Sequence, residues 1–524
     1  MNSVDPSISN TLWMIIISGL LLAGIRAEYR TKHRLALGLL TCAALMMRLL
    51  ATTMDPFLNY WDEVFHATVA RNLIDHPFTP MLYTEPAMPV TENWSRMHIW
   101  LHKPPFFLWQ IALSLWTFGP EPWAVRIPSA LWTTALVPVT YRLARLLTHE
   151  LPSATSRAVA FGAALFTAFN SYLQELVAGA ISTDHNDAIF FSLVAVSWWA
   201  YWEHRSKHSF HWALLAGLAS AAAVLCKWYF GLIVFLPWTL EVVMDRSRSA
   251  IKAYLGAVAM VLILAGSWLL YIHLRFPAET AYERWFKAMH FQVAVDGHEG
   301  GPTYHLTVIG TYLAPLTWWV VAIALLVILA LVRAPSVRRF LVLTIVPTHV
   351  FFALAATKMV SYTLFLLPLY LIAIAAGITW SLARVRLARP ILILPMVACT
   401  GLAVLLWQPW TTSARHPRVG TVGIDAHRAQ QFAVLEQEPR LANLMPVGTP
   451  TVLFNVPFVY DVQFMFRNGI QCMRGIPDGA VIERLRAKGY RVFVLQDGVD
   501  LTNIPAGVEL ITDSMFSYPR IARL

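Results

Sequence analysis

Two pairs of acidic residues border long apolar runs of this chain and are its first candidates for chemistry. Asp62 and Glu63 are adjacent and open a segment whose apolar residues have helical spacing. Asp184 and Asp187 are three residues apart, so they share one face if their segment is helical. A carboxylate near the bilayer can act as a general base. The simpler interpretations are that Asp62-Glu63 favours a helix N-terminus and that the second pair belongs to a polar hairpin.

Two lysines and a tyrosine form a second candidate group. Lys103 precedes Pro104 and Pro105 and an aromatic segment, and Lys358 lies four residues before Tyr362. Such residues can neutralise and bind a phosphate. They can equally anchor a chain at the membrane–water interface, where lysine and tyrosine are enriched. The residues alone leave both interpretations open.

The composition indicates the elements that must position these side chains. Hydrophobic residues make up 57% of the 524 residues, charged residues 13%, and the mean hydropathy is +0.54. A soluble domain carries about 25% charged residues, so the bilayer is the natural solvent for this chain. The net charge of +10 does not argue for nucleic acid, because many basic residues lie in short loops between apolar runs. The four cysteines include no CxxC motif, which argues against a disulfide framework or a zinc finger.

Runs long enough to cross a membrane recur along most of the chain, and a helix needs about 20 mostly apolar residues to do so. We predict about twelve transmembrane helices. The runs lie near 11–26, 35–53, 123–147, 157–178, 187–203, 211–226, 228–245, 252–274, 305–332, 340–356, 361–380 and 390–408.

The loops between these runs give an orientation. Six short loops rich in arginine and lysine fall on one side if the spans alternate, which predicts that this side is cytoplasmic. Their basic residues are Arg26, Arg30, Lys32, Arg34, Arg142, Arg145, Arg205, Lys207, Arg246, Arg248, Lys252, Arg333, Arg338, Arg339, Arg384, Arg386 and Arg389. The candidate acids and lysines then map to the opposite, outer side.

The predicted fold is an all-α polytopic membrane protein with a small C-terminal α/β extramembrane domain. The transmembrane domain is predicted at 1–408, including an outer loop at 54–122 with juxtamembrane helices, and the C-terminal periplasmic domain at 409–524. Strand-like runs at Thr451 to Val456 and Arg491 to Leu495 flank an amphipathic stretch from Ala480 to Gly489 in that tail.

The order of these motifs resembles the GT-C class of integral-membrane glycosyltransferases. It is most similar to the bacterial relatives of the dolichyl-phosphate-mannose protein mannosyltransferases, which include the lipid A aminoarabinose transferase. The resemblance implies that Asp62, with Glu63 beside it, is catalytic and that Asp184 is the second acid. It implies that Lys103, Lys358 and Tyr362 bind the donor phosphate, and Arg96 and Arg284 are further candidates for that role.

The sequence departs from the family's pattern at two places, and the second bears on metal binding. Phe65 and His66 follow the acidic pair where members often have tyrosine or arginine, and His102 stands where some carry glutamate before the lysine. The resemblance implies that the acidic position can help hold a divalent metal. His102 and His290, with His298 or Glu299, are an analogous candidate set for zinc or magnesium. No spacing requires a cofactor.

The predicted function is transfer of a glycosyl group from a polyprenyl-phosphate sugar to an envelope acceptor on the outer face of the inner membrane, with inversion. The expected partners are this donor, membrane lipids and a lipid, glycan or protein acceptor. The alternatives are a transporter or flippase of a lipid-linked sugar, and a sugar-polymer ligase or polymerase. The absence of a clear internal repeat and the one-sided charges weigh against the transporter. The sequence names neither the sugar, a hexose or a pentose, nor the acceptor.

Overall fold

The computed structural model describes residues 6–59, 61–88, 93–180, 184–313, 316–384, 397–398, 401, 424–446, 448–496, 504–512 and 518. Up to residue 384 these residues form helices α1 to α18. The bounds are Pro6–Tyr29, His33–Thr52, Asp62–Asp75, Phe106–Phe118, Pro122–Leu147, Ser153–Ala168, Ser171–Val177, Asp184–Lys207, Phe210–Lys227, Phe235–Asp245, Arg248–Val261, Ser267–Arg275, Pro277–Gln292, Tyr304–Thr307, Ile309–Leu313, Trp318–Leu331, Pro335–Leu354 and Leu367–Arg384.

Several of these helices are long and apolar enough to cross a bilayer. Six pass by length and composition among the described residues, and seven pass if the bent pair Tyr304–Leu313 and Trp318–Leu331 is one span. The six are Thr11–Tyr29, His33–Thr52, Phe210–Lys227, Arg248–Arg275, Pro335–Leu354 and Val360–Arg384. A π-helical turn at Leu262–Gly266 joins α11 to α12 in the fourth of them. The protein is therefore a multi-pass membrane protein, and the number of twelve spans stays a prediction.

The run predicted at 157–178 is two helices rather than one. α6 ends at Ala168, and α7 begins at Ser171 after Asn170, whose side chain accepts from the Leu173 amide at 3.0 Å. The buried Arg48 guanidinium donates to the Thr167 carbonyl at 3.0 Å, which satisfies a carbonyl that the helix end leaves unpaired. Of the predicted run 390–408, only 397–398 and 401 are described.

The chain divides into two compact units. The first comprises Met1–Met54, Lys103–Phe107 and Ile127–Arg415, and the second comprises Asp55–His102, Leu108–Arg126 and His416–Leu524. The second unit thus combines most of the predicted outer loop 54–122 with the C-terminal tail. The boundary predicted between 408 and 409 stays a prediction.

The C-terminal tail contains the small α/β domain predicted from its strand-like runs. Its described elements are helices α19 (Ile424–Asn443), α20 (Tyr460–Asn468) and α21 (Gly479–Ala487), and strands β1 (Thr451–Phe454), β2 (Gln471–Met473), β3 (Arg491–Leu495) and β4 (Glu509–Ile511). The strands form one parallel sheet in the order β2-β1-β3-β4. The strand-like runs at 451 and 491 are thus β1 and β3, and the amphipathic stretch at 480 is α21. All four residues of β1 are buried, as expected for a central parallel strand.

Candidate active site

Asp62 is the first residue of α3, a helix of the second unit. Its side chain is 8% exposed and lies where the helix dipole favours a negative charge. Most apolar residues of this helix are buried, including Val64, Phe65 and Leu73, so the helix is fixed by packing. The structure therefore places Asp62 on a rigid element with a small exposed surface, as a base that meets its substrate requires.

Glu63, the neighbour of Asp62, forms a buried ion pair with Arg126 of the same unit. Arg126 Nε lies 2.7 Å from Glu63 Oε1 and Nη2 lies 3.2 Å from Oε2, and both side chains are 0% exposed. The same guanidinium donates to the carbonyls of Asp55 and Phe57, each at 2.7 Å. Both carboxylate oxygens of Glu63 are thus held by one guanidinium, which favours a positioning role for Glu63.

His102 and Arg96 also belong to the second unit. The His102 ring stacks on Trp94 with 4.7 Å between centroids and 17° between planes. The Arg96 side chain is exposed, and its backbone amide donates to the Asn93 carbonyl at 2.9 Å. His102 is thus an aromatic stacking residue in this structure, while Arg96 presents its side chain at the surface.

Lys103 lies in the first unit, where it is half-buried near a second lysine, Lys287 of α13. Lys287 Nζ lies 3.3 Å from the buried carboxylate of Glu283, one turn earlier. Burial lowers the pKa of Lys287 to about 7, with Glu283 opposing this shift and Lys103 adding to it. Two cations near one carboxylate make a local excess of positive charge, which suits an anionic ligand.

A second polar group of the first unit is centred on Lys227, the last residue of α9. Lys227 Nζ donates to Asp187 Oδ1 and, at 3.0 Å, to Ser361 Oγ, and it lies 5.6 Å from the centre of the Tyr362 ring. The buried Asn186 amide and Asp187 Oδ2 have no hydrogen-bond partner within the described part of the chain. Unpartnered buried polar atoms are costly, so they indicate a place where a polar ligand or water binds.

Lys358 has a different environment from the one that its motif predicts. Its side chain is 3% exposed, and Nζ donates to the carbonyls of Phe352 at 2.7 Å and Ala353 at 2.8 Å. These carbonyls belong to the last turn of α17, so the lysine caps that helix. Burial also lowers the pKa of Lys358. Its ammonium is engaged by the backbone, whereas Tyr362 from the same motif faces Lys227.

The remaining predicted residues lie in the first unit. Asp184 begins α8, and its side chain is outside the described residues. Arg284 lies on α13 and is exposed. His298 and Glu299 follow that helix in the chain and are also exposed. His290 is half-buried, and its Nδ1 pairs with the Phe286 carbonyl at 3.0 Å.

A metal centre is not recognisable among the residues that the structure describes. No group of three or more His, Cys, Asp or Glu side chains that could hold a metal occurs among the residues that the structure describes. Catalytic zinc sites use three protein ligands, so His102 and His290 would need His298 or Glu299 beside them. Metal binding by His102 and His290 stays a prediction.

Sequence reasoning assigned no role to Arg126, Lys227 or Lys287. Arg126 falls within a predicted span, where a buried arginine is itself a signal, because an unpaired charge there is costly. Lys227 pairs with Asp187 across 40 residues, and such a pairing has no sequence signature. Lys287 could have been found from its spacing of four residues after Glu283.

A family model and curated relatives match this chain over part of its length. The model of the dolichyl-phosphate-mannose-protein mannosyltransferases matches residues 102–271. Two undecaprenyl phosphate-α-4-amino-4-deoxy-L-arabinose arabinosyl transferases, from two strains of Pseudomonas fluorescens, each align over 302 residues. The first is 28% identical, over 54% of this chain and 52% of that protein. The second is 24% identical, over 56% and 52%. The chain thus spans about half the length of the curated relatives it matches.

Two solved structures share the fold over most of the chain. ArnT from Cupriavidus metallidurans, bound to undecaprenyl phosphate, has a TM-score of 0.60 and 16% identity and covers 86% of this chain and 87% of its own. The oligosaccharyltransferase AglB from Archaeoglobus fulgidus, in complex with an inhibitory peptide and a dolichol-phosphate, has a TM-score of 0.51 and 12% identity, over 83% and 63%. Together with the family model, these matches confirm the resemblance to the GT-C class and its fold.

Proposed function

We propose that this chain, which has the fold of the GT-C glycosyltransferases, transfers a glycosyl group from a polyprenyl-phosphate sugar to an envelope acceptor. The observation that carries the proposal is the Lys227 group. A lysine held by Asp187 and Ser361 beside Tyr362 lies in an apolar membrane unit, next to a buried amide with no partner within the described part of the chain. Ionisable residues inside membrane domains mark ligand sites by default.

The similar proteins support a lipid phosphate as the donor's carrier. The curated relatives are named for undecaprenyl phosphate-linked aminoarabinose, and the two structures contain undecaprenyl phosphate and a dolichol-phosphate. These names share a polyprenyl phosphate, and we propose the same carrier for the donor of this chain. The sugar is a pentose or a hexose, and the acceptor is a lipid, a glycan or a protein.

The proposed reaction is a single displacement. The acceptor hydroxyl oxygen forms a bond to the anomeric carbon, while the bond from that carbon to the phosphate oxygen breaks. Polyprenyl phosphate leaves with the electron pair, and Asp62 takes the hydroxyl proton as general base. One displacement from the face opposite the phosphate inverts the anomeric carbon. If the acceptor is itself a phosphate, no proton needs removal and Asp62 orients the acceptor instead.

The leaving phosphate develops charge that cations must stabilise. We assign this role to the cations Lys227, Lys103 and Lys287, with Tyr362 beside Lys227 as a neutral hydrogen-bond donor. Arg96 and Arg284, both exposed, remain proposed contacts of the phosphate, as does Lys358 if its ammonium leaves the α17 carbonyls. Asp184 remains a proposed second acid. No step of this mechanism passes through a metal.

The proposal includes a location. Loops rich in arginine and lysine lie on the cytoplasmic side of a membrane. The catalytic loops and the C-terminal domain then lie on the opposite, periplasmic side of the inner membrane. A polyprenyl-phosphate sugar that has reached the outer leaflet can then enter from the bilayer without crossing it.

Purified protein in nanodiscs, given a panel of polyprenyl-phosphate sugars, tests the proposal through release of free lipid phosphate. We expect turnover with one donor, and a Lys227→Met variant with a raised donor KM. Lys227→Arg keeps the charge and is the matched control, with a smaller increase in KM. Donor that is translocated between leaflets without release of lipid phosphate would contradict the proposal and favour a flippase.

A further inference from the structure

The C-terminal α/β domain places an aromatic side chain beside the catalytic helix of its own unit. Phe458 lies in the loop between β1 and α20, and its ring is 5.5 Å from that of Trp61, with 66° between the planes. Trp61 directly precedes Asp62 in the chain. Phe65, one turn into α3, approaches the same ring at 6.4 Å.

This loop leaves the sheet where parallel α/β sheets bind ligands. In the order β2-β1-β3-β4, the chain leaves β1 toward β2 on one side and leaves β3 toward β4 on the other side. The two connections therefore diverge between β1 and β3. Ligands of such sheets bind at the carboxyl ends of the strands where the connections diverge. Asn455, directly after β1, donates from Nδ2 to the Leu495 carbonyl at the end of β3 at 2.7 Å, which ties the two strand ends together.

The position of Phe458 is fixed from two directions. The Arg474 guanidinium lies 4.2 Å from the centre of its ring and is itself held by Asp461 at 2.8 Å and by the Ser95 carbonyl at 2.8 Å. Val459, the next residue, has φ of +77° although it is β-branched and 2% exposed. A β-branched residue in this region is strained, and such strain is kept at sites where a loop must hold one conformation.

Trp61 is more exposed than Phe65 and Phe458, the other two residues of this aromatic cluster. It is 43% exposed, whereas Phe65 is 0% exposed and Phe458 is half-buried. An exposed tryptophan is not by itself a ligand site, since many exposed tryptophans of membrane proteins anchor the protein in the membrane interface. Trp61 differs because it is covalently next to the acid that must reach the acceptor hydroxyl.

We infer that Trp61, supported by Phe458, is the platform on which a sugar ring of the acceptor stacks. The inference rests on the proposed function, because it takes Asp62 as the group that meets the acceptor hydroxyl. In transfer to a hydroxyl, the acceptor group that gives its proton to Asp62 carries that hydroxyl, and a group that covers Trp61 offers a flat apolar face. A sugar ring has both, whereas the serine and threonine side chains of a protein acceptor have a hydroxyl without such a face. The acceptor class is therefore a glycan or a glycolipid.

Two variants separate stacking from folding. Trp61→Phe keeps an aromatic face and Trp61→Ala removes it, while Trp116→Ala is the matched control, because Trp116 is 71% exposed on α4, outside this cluster. With lipid A as glycolipid acceptor, we expect Trp61→Ala to raise the acceptor KM about tenfold with an unchanged donor KM. Trp61→Phe should stay within about twofold of wild type, and Trp116→Ala should not change.

A binding measurement tests the platform without turnover. Saturation-transfer NMR from the full-length protein in detergent to a panel of soluble hexose and amino-sugar disaccharides should show transfer to ring protons of one disaccharide. The transfer should persist in Trp61→Phe and disappear in Trp61→Ala. Saturation transfer to a disaccharide, combined with no enzymatic turnover of any donor, would overturn the proposed function and leave the platform standing. Turnover with an equal acceptor KM in Trp61→Ala, or no transfer to any disaccharide in wild type, would overturn the platform.

Discussion

Arg126 Nε lies 2.7 Å from Glu63 Oε1, and neither side chain has any exposed surface. The pair joins the residue after Asp62 to the carbonyls of Asp55 and Phe57, so the segment that leads into α3 is held at three points by one guanidinium. Removing one partner of a buried ion pair leaves an uncompensated charge, which costs about 3 to 5 kcal/mol. Under the proposed function, Glu63 therefore positions the start of α3 while the adjacent Asp62 reacts.

Glu63→Gln is therefore expected to lower both stability and activity, whereas Asp62→Asn lowers activity alone. The melting temperature of each variant in detergent, beside its transfer rate, measures this difference. Arg126→Lys should behave like Glu63→Gln, because a single ammonium cannot reproduce the bidentate contact. A Glu63→Gln protein with wild-type stability and no activity would assign Glu63 to the chemistry instead.

Lys287 should make donor binding depend on pH. Burial lowers its pKa to about 7, so its ammonium is present below that pH and is lost above it. We expect the donor KM to rise as the pH increases from about 6 to 8, because a neutral amine attracts the phosphate less. Steady-state kinetics across this range provide the measurement.

Lys287→Arg is the matched variant, since a guanidinium remains charged throughout the range. Its donor KM should be nearly independent of pH, and that of Lys287→Met should be high at every pH. An unchanged pH profile in both variants would show that another group controls it.

Glu438 should make the stability of the C-terminal domain fall with increasing pH. Burial raises its pKa to about 7, against the lowering effects of Arg467 and Gln463. An acid with a raised pKa stays protonated in the folded protein while the unfolded chain ionises. Stability therefore falls as the pH rises from about 4.5 to about 7 and levels off above it, by at most about 3 kcal/mol.

Glu438→Gln removes this titration and keeps the shape of the side chain. Melting temperatures of wild type and variant should agree near pH 5 and diverge by pH 8, with the variant more stable. A difference that is constant across the pH range would contradict the assigned titration.

Gly469 should be required for the contact between α3 and α20. Its φ is +67°, and a Cβ there would lie 2.7 Å from Arg71 Nη2. Arg71, on α3, donates to the carbonyls of Met465 and Phe466 in the last turn of α20. Gly469→Ala should therefore cost about 1 to 3 kcal/mol of stability.

Gly479 provides the control for this variant. It opens α21 and does not have a positive φ, and a Cβ at this position would point into open space, with no neighbouring atom of the described residues within 4 Å. Gly479→Ala should leave the melting temperature unchanged or raise it slightly. Equal losses in both variants would show that the Arg71 contact is not the cause.

The sequence predicted the helix that carries Asp62 and two of the four strands, because the helix has a clear apolar period and each of these strands is a run of mostly apolar residues. β2 and β4 contain three residues each and are too short to produce such a signal. Pairing over long sequence distances, as between Lys227 and Ser361 or Arg474 and Ser95, depends on tertiary packing that no local pattern encodes. The engagement of Lys358 with the end of α17 also became visible only in the structure.

The central claim is that Asp62 is the base in transfer from a polyprenyl-phosphate sugar, and Asp62→Asn tests it most directly. In nanodiscs, with the donor that the wild-type protein uses, we expect kcat of this variant to fall about 10²- to 10⁴-fold. The donor KM should change little and the melting temperature should not change. An Asp62→Asn protein that retained the full rate of transfer to a hydroxyl acceptor would contradict the claim.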